Sequence, residues 1–509
     1  MNPPFVQSLL KTLRQTSPRN VAVGLLVFVL LLWGVALIRF SIDVAGGADS
    51  SGYMNNARLL LEGRVQDDSR TLPEIREDLF HFRGYAPLGF HIDPETKMLI
   101  PGYPFGFPLV LAPFHAAFGD AAGTRIVLLL IGLAGPILTL LLARESGLSL
   151  EWATLCAVTL ATSALYQVQA YFPMTDTFTL VIACLVLLFL YRLDRGPWSG
   201  YLLGACLALG VLTRPANILL FVPVGLYLMA QPERLRHSWK IILGGLPGAA
   251  FQIWVNLTLY HKAFTTSYGD FSSLFKAEYF FPTLLFFALN GLFLVTPMAL
   301  VGFLGSPVMI GSNRFRLLPL FAQALSFIGF YAFYFHSSEV WWTLRFILPV
   351  FPAVIILGAH FWSRLLPRIR NSDGWSQVTR WTPIAFSVVA ILIGYQYGDK
   401  KSIHSLYTVE NGYREAAQWL GERTEETDVV VCMQVSGAFF YYLPNPIIRW
   451  DYLKPDLWES EIAPGLLQNR RVFAVLYPFE LERDLFRTRM PGDWKMIKKI
   501  KHVSIYELR

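Results

Sequence analysis

Two aspartates stand where a carboxylate could do chemistry at the edge of a membrane. Asp49 lies in GADSSGYMNNARLLLEG, shortly after the uncharged run Val21–Ile38, and Asp176 lies in YFPMTDTF, just ahead of another apolar run. A carboxylate at the hydrocarbon boundary is costly unless it is solvated, paired or functional. If a hydroxyl comes within hydrogen-bond reach, such a group can take its proton as a general base. Arg214 in LTRPAN and Arg345 in WWTLRFILPVFP fall at the ends of further apolar runs, and Lys97 lies in the long loop after the first run. Cations so placed can stabilise charge developing on a phosphate leaving group, which departs without an acid. Tyr53 and Tyr103 could shape a pocket beside them, and His336 and Glu339 precede Trp341 and Trp342 at a mouth where those rings could stack on a sugar.

Each residue also has a plainer role. Asp49 could be a solvated helix flank, and Asp176 could cap the helix that TDTF begins. Arginines at helix ends routinely snorkel, and Lys97 reads as an ordinary loop charge. Tyr53 and Tyr103 could merely pack, and the tryptophans suit an interfacial aromatic belt. His81, His91, Glu74, Asp78 and Asp93 are near one another in the chain, but their spacing matches no metal motif. Cys156, Cys184, Cys206 and Cys432 form no CxxC pair, so neither a zinc site nor a disulfide framework is indicated.

The elements that must position these residues follow from composition. Of the 509 residues 54% are hydrophobic and only 16% charged, which points to a polytopic membrane protein. The net charge of +7 does not mark a nucleic-acid binder, because the basic residues are spread over short loops rather than one face. Apolar runs follow at Ile126–Ala143, Trp152–Val168, Thr177–Tyr191, Tyr201–Leu212, Ala216–Ala230, Ile241–Leu259, Leu292–Ile310, Leu317–Phe335, Phe346–Phe361 and Pro383–Tyr395. With the first they predict about eleven spans, two of them short for the roughly 20 residues a crossing needs. With a cytoplasmic N-terminus, every inner loop is basic: Lys11, Arg14 and Arg19; Arg144; Arg192 and Arg195; Arg234, Arg236 and Lys240; Arg314 and Arg316; Arg364, Arg368, Arg370 and Arg380. The positive-inside rule then puts Asp49 outside.

The outer parts are the Ser41–Thr124 loop, the YFPMTD turn and the tail. In the loop, Tyr53–Arg64 reads as an amphipathic interfacial helix and Pro104–Phe118 as an apolar one. The tail alternates helix and strand signals, with GYREAAQWLGERTEE helical and DVVVCMQV, VFAVLYP and HVSIYEL extended, so it predicts a small α/β domain. The division expected is a cytoplasmic N-terminus over 1–20, a transmembrane domain over 21–399 that includes loop 41–124, and an extracytoplasmic domain over 400–509. Nucleotide sugars are not supplied outside the cytoplasm, so sugar transfer there would need a donor carried in the membrane.

With these parts in this order, the chain resembles the GT-C glycosyltransferases, in particular the bacterial branch related to protein O-mannosyltransferases and aminoarabinose transferases. The resemblance rests on GADSSGYMNNARLLLEG, PGYPFGFPLVLAPFHAAFG, YFPMTDTF, LTRPAN and RFILPVFPAV, and spans most of the membrane part. It implies an α-helical polytopic GT-C fold and transfer of a sugar, with inversion, from a polyprenyl-phosphate donor to a lipid, glycan or protein acceptor. It further implies a bacterial inner-membrane location with the active site on the periplasmic side. On this resemblance Asp49 is the general base, and Asp176 a second acid that places the acceptor or a divalent cation. Arg345, Arg214 and Lys97 would meet the donor phosphate. Many relatives carry another acid next to the first, where this chain has Ser50, so the need for a cation is left open. A transporter or flippase, and a glycan ligase or polymerase, are the alternatives from other classes.

Overall fold

A computed structural model describes residues 17–75, 80–265, 272–369 and 373–509. Lys11, Arg14, Asp78 and Arg370 lie outside the described residues, as do the side chains of Arg314 and Asp373. The first helix, α1 (Pro18–Phe40), shows how the bundle is built. Ala22, Leu26, Val29, Trp33 and Leu37 recur at helical spacing and are buried. Phe28, Leu31, Leu32, Val35 and Ile38 on the other side are exposed. An exposed apolar face of this size suits hydrocarbon, where a helix satisfies its backbone internally.

The chain then turns into α2 (Gly47–Leu61), a hairpin of β1 (Phe90–Ile92) and β2 (Leu99–Pro101), and α3 (Pro108–Phe118). The bundle continues through α4 (Asp120–Glu145), α5 (Leu150–Thr162), α6 (Ala164–Tyr171), α7 (Thr175–Tyr191), α8 (Ser199–Thr213), α9 (Phe221–Ala230) and α10 (Ser238–Tyr260). It closes with α11 (Phe280–Leu294), α12 (Pro297–Gly305), α13 (Ile310–Ala332), α14 (Phe351–Ile369) and α15 (Asp373–Lys400). Among the described residues six helical spans are long and apolar enough to cross a membrane, seven if α6 and α7, bent by 112°, form one broken span. The protein is an integral membrane protein.

Several apolar runs are subdivided rather than continuous. Trp152–Val168 breaks at Ser163, whose extended backbone ends α5 and starts α6. The run Leu292–Ile310 straddles a break at Thr296, which has φ 76° and accepts a hydrogen bond from the Ala299 amide, with Pro297 opening α12. The segment before that break is a separate helix, α11, which hydropathy alone had not set apart. Phe346–Phe361 begins in a 3-10 segment, Trp341–Val350, and becomes α-helical at Phe351. That segment carries Arg345.

The tail forms the expected α/β domain. It comprises α16 (Leu406–Gly421), β3 (Val429–Cys432), α17 (Ser436–Tyr442), β4 (Ile447–Ile448), β5 (Val472–Leu476), β6 (Trp494–Ile500) and β7 (Val503–Leu508). The strand order is β4-β3-β5-β7-β6. Strands β4, β3 and β5 are parallel, while β7 runs antiparallel to β5 and β6. β3 and β5 are buried along their whole length, as unbroken apolar strands in a covered sheet should be. At the edge, β6 exposes Lys495, Lys498 and Lys499 and carries a bulge, features that discourage pairing with another chain.

Candidate active site

The structure brings four of the charged residues singled out in the sequence to one place, next to the C-terminal α/β domain. Asp49 sits in the first turn of α2, where a helix N-terminus favours an anion. Its Oδ1 accepts a 2.5 Å hydrogen bond from the Tyr103 hydroxyl, and its Oδ2 one of 2.8 Å from Arg345 Nη1. The side chain is still 27% exposed, so the carboxylate remains accessible to water. Burial raises its pKa, but Arg345, the Tyr103 hydrogen bond and, more weakly, Arg214 outweigh that and hold it below the usual aspartate value. Asp49 is therefore ionised at neutral pH.

Tyr103 reaches Asp49 because α2 presents no side chain in its way. A Cβ on Gly52 would lie 2.3 Å from the Tyr103 ring. Tyr103 also packs 5.0 Å from Tyr53, centroid to centroid, and Tyr53 in turn shares a 3.2 Å hydrogen bond with Thr175 Oγ1 at the start of α7. Tyr53 thus ties the helix of Asp49 to that of Asp176.

Asp176 is fully buried in the first turn of α7, with Arg214 Nη2 2.8 Å from its Oδ1. The two charges are close enough to pair, although neither oxygen of Asp176 receives an aligned hydrogen bond. Arg345 adds a 3.9 Å contact to Met174 Sδ at the break between α6 and α7. The two acid–arginine pairs are neighbours, and their cations share Phe346, with Arg345 5.4 Å and Arg214 5.7 Å from its ring centre. Trp342 flanks Arg345 at 5.6 Å.

His336 Nδ1 and Glu339 Oε1 form a 2.7 Å pair at the mouth, both about two-fifths exposed. Tyr334, whose ring is 5.4 Å from His336, links them to the interior. Burial pushes its phenol pKa up, and Arg214, Arg345, Glu339 and Asp49 all act on it electrostatically. Tyr331 stacks on Phe346 at 5.3 Å and completes the wall. Tyr331, Tyr334 and Phe346 had not been singled out, because in a span rich in aromatic residues nothing in the sequence distinguishes a wall from a membrane belt.

Lys97 is placed differently. It has φ 61° at the hairpin turn, and its Nζ lies 4.5 Å from the ring centre of Phe82. None of its described contacts reaches either aspartate. Glu74 pairs with Arg470, and Asp93 accepts from Thr96, so the His/acid group of the loop is divided among other partners. Among the described residues no three His, Cys, Asp or Glu side chains converge as metal ligands. Asp49 and Asp176 each face an arginine, so each carboxylate has a guanidinium as its countercharge.

Residues 103–255 match the family described as dolichyl-phosphate-mannose-protein mannosyltransferase. The chain superposes on ArnT from Cupriavidus metallidurans bound to undecaprenyl phosphate, with TM-score 0.59 and 15% identity over 95% of this chain and 97% of that one. The chain has the GT-C fold. Two larger GT-C proteins agree. The oligosaccharyltransferase AglB from Archaeoglobus fulgidus, in complex with an inhibitory peptide and a dolichol-phosphate, matches with TM-score 0.57 at 12% identity over 95% of this chain and 74% of that one. The arabinofuranosyltransferase AftD from Mycobacteria matches with TM-score 0.57 at 13% identity over 95% of this chain and 40% of that one. No curated protein sequence matches the chain. The GT-C fold thus covers the C-terminal α/β domain as well as the bundle, and the sequence motifs alone did not reach that domain.

Proposed function

We propose that the protein is an inverting glycosyltransferase that moves a sugar from a polyprenyl-phosphate donor to an acceptor hydroxyl on the outer face of the membrane. The observation that carries this reading is the ionised, partly open Asp49 held between Tyr103 and Arg345, with a second arginine next to it. An ionised carboxylate is the state a base needs, and two arginines are what a departing phosphate needs. The fold adds support, since the matched structures include one bound to undecaprenyl phosphate and one in complex with a dolichol-phosphate.

In the resting arrangement Arg345 occupies one oxygen of Asp49. A donor phosphate would compete for that guanidinium. As Arg345 turns to the phosphate, Asp49 loses the largest influence that lowers its pKa and becomes a stronger base. Donor binding would therefore arm the base. The acceptor hydroxyl then attacks the anomeric carbon as the bond to phosphate breaks, Asp49 takes the hydroxyl proton, and the phosphate leaves on the opposite face with its charge met by Arg345 and Arg214. One displacement inverts the anomeric centre, as base and leaving group on opposite faces require. Asp176 would hold Arg214 in place. Tyr53, Tyr334, His336 and Glu339 would line the acceptor side.

The bend between α6 and α7 is the feature that favours a transporter, since such proteins bind substrate at broken helices. Membranes supplied with a panel of labelled polyprenyl-phosphate sugars separate the two. Transfer of label to an acceptor with inverted configuration is the expected result. Retained configuration would remove the single-displacement mechanism, and label that crosses the membrane without transfer would favour the transporter.

A further inference from the structure

The soluble domain does more than cover the bundle, because its second helix is built into the support of Asp49. α17 lies against one face of α2, and the contacts recur at the spacing of that face. Ser51, two residues beyond Asp49, is fully buried against Gly437, where an added Cβ would lie 2.2 Å from Ser51 Oγ and 2.5 Å from the Leu88 carbonyl oxygen. One turn later Asn55, also fully buried, donates through Nδ2 to the carbonyls of Ser51 and Gly437 at 2.9 and 3.2 Å. Arg58 follows, donating to the Tyr441 carbonyl at 3.3 Å and to Asn55 Oδ1 at 3.1 Å. Beyond α2, Arg70 donates to the carbonyls of Leu443, Asn445 and Phe440 at the end of α17.

The segment that leads into α2 is held by the same domain. Buried Asp43 accepts from Arg414 on α16 at 3.2 Å and from Arg125 on α4 at 2.9 Å. The Ala45 amide donates to the Tyr442 hydroxyl at 3.0 Å. The first turn of α2 is thus fixed from its entry and from one side by groups of α16 and α17, while the other side meets Tyr103 and Arg345.

We propose that α17 is a positioning element for Asp49, with Gly437 and Asn55 as the positioning residues through which it acts. The inference rests on Asp49 being the base. Gly437 permits the close approach, because only a residue without a Cβ leaves Ser51 and Leu88 where they are. Asn55 fixes the register, because it ties two backbones at once. A shift of α2 would draw the carboxylate away from Tyr103 and Arg345 together. A displacement of about 1 Å at a reacting group can cost about 10²-fold in rate.

The test compares wild type, Gly437→Ala and Asn55→Ala in proteoliposomes, measuring sugar transfer across a pH range with the folded fraction counted in each sample. For both variants the inference expects kcat per folded molecule to fall by about 10-fold to 10²-fold, with donor KM within about twofold of wild type. It also expects the acid limb of the pH profile to move up, because weakened pairing with Arg345 and Tyr103 leaves burial to raise Asp49. If Gly437→Ala does not insert, Asn55→Ala carries the test alone. An unchanged acid limb, or a loss of activity that follows the folded fraction only, would overturn the inference. Asp49→Asn run alongside separates the two proposals. If it is inactive while both positioning variants keep the wild-type acid limb, only the positioning role fails. If it is fully active, the base reading fails and takes this inference with it.

Discussion

Tyr103→Phe removes a single hydroxyl from the site and leaves its packing in place. The ring stays against Gly52 and Tyr53, so α2 has no reason to move. What is lost is the 2.5 Å hydrogen bond to Asp49 Oδ1. A hydrogen bond to a charged group contributes roughly 1.5–3 kcal/mol, and the 27% exposure of Asp49 argues for the lower end because water can replace part of it. A loss of about 1.5 kcal/mol from the ionised form raises the carboxyl's proton affinity about tenfold. The rate near neutral pH should change little from this cause, since Arg345 still favours the ionised form. The acid limb of kcat/KM should move toward neutrality by about that tenfold in proton concentration. The assay is sugar transfer in proteoliposomes across a pH range, with each rate normalised to folded protein. An acid limb that stays in place while activity persists would show that the limb does not report Asp49, and one that moves to lower pH would refute the reasoning outright.

Arg214→Gln leaves Asp176 buried without its partner charge, and the variant should lose about 3 kcal/mol of stability in detergent thermal unfolding. The double variant with Asp176→Asn should recover more than half of that, and failure to recover would mean the two do not pair. Gly52→Ala should push the Tyr103 ring off Asp49 and lower transfer about tenfold, so activity within twofold of wild type would contradict the close packing described. Glu410 in α16 has its pKa pushed up to about 7 by burial, against an ordinary value of 4.5. Between those values the folded protein keeps a proton that the unfolded chain has released, so this group's contribution to stability falls as pH rises through the window. Glu410→Gln should therefore match wild type in Tm near pH 4.5 and exceed it at pH 8, and a constant gap across that range would remove burial as the cause.

The residues legible in the sequence were those whose charge stood out against an apolar background. Asp49, Asp176, Arg214 and Arg345 each interrupt or border a run of aliphatic and aromatic side chains, and charge asymmetry between loops predicted one side for all four. Which arginine meets which aspartate was not legible, because the pairs Arg345–Asp49 and Arg214–Asp176 join elements far apart in the chain. Lys97 was grouped with them by its position in the loop, but the hairpin directs it to Phe82. Helix breaks depended on single residues: hydropathy runs straight through Thr296 and Ser163, while backbone hydrogen bonding and proline do not. In the tail, helix α16 and strands β3, β5 and β7 were readable from their periods. The docking of α17 on α2 was not, since it rests on Gly437 and Asn55, residues of no apparent chemistry until two distant segments meet.

The central claim is that Asp49 takes the acceptor's proton, and Asp49→Asn tests it most directly. The change keeps the size of the side chain and an oxygen that Tyr103 and Arg345 can still approach, while removing the negative charge. Wild type and variant, matched for folded protein in membranes, would be given the same labelled polyprenyl-phosphate donor and acceptor. The account predicts that the variant still binds donor but loses transfer by about 10³-fold or more, within the range removal of a catalytic base can produce. Transfer at the wild-type rate would make Asp49 a polar flank of α2 and contradict the account.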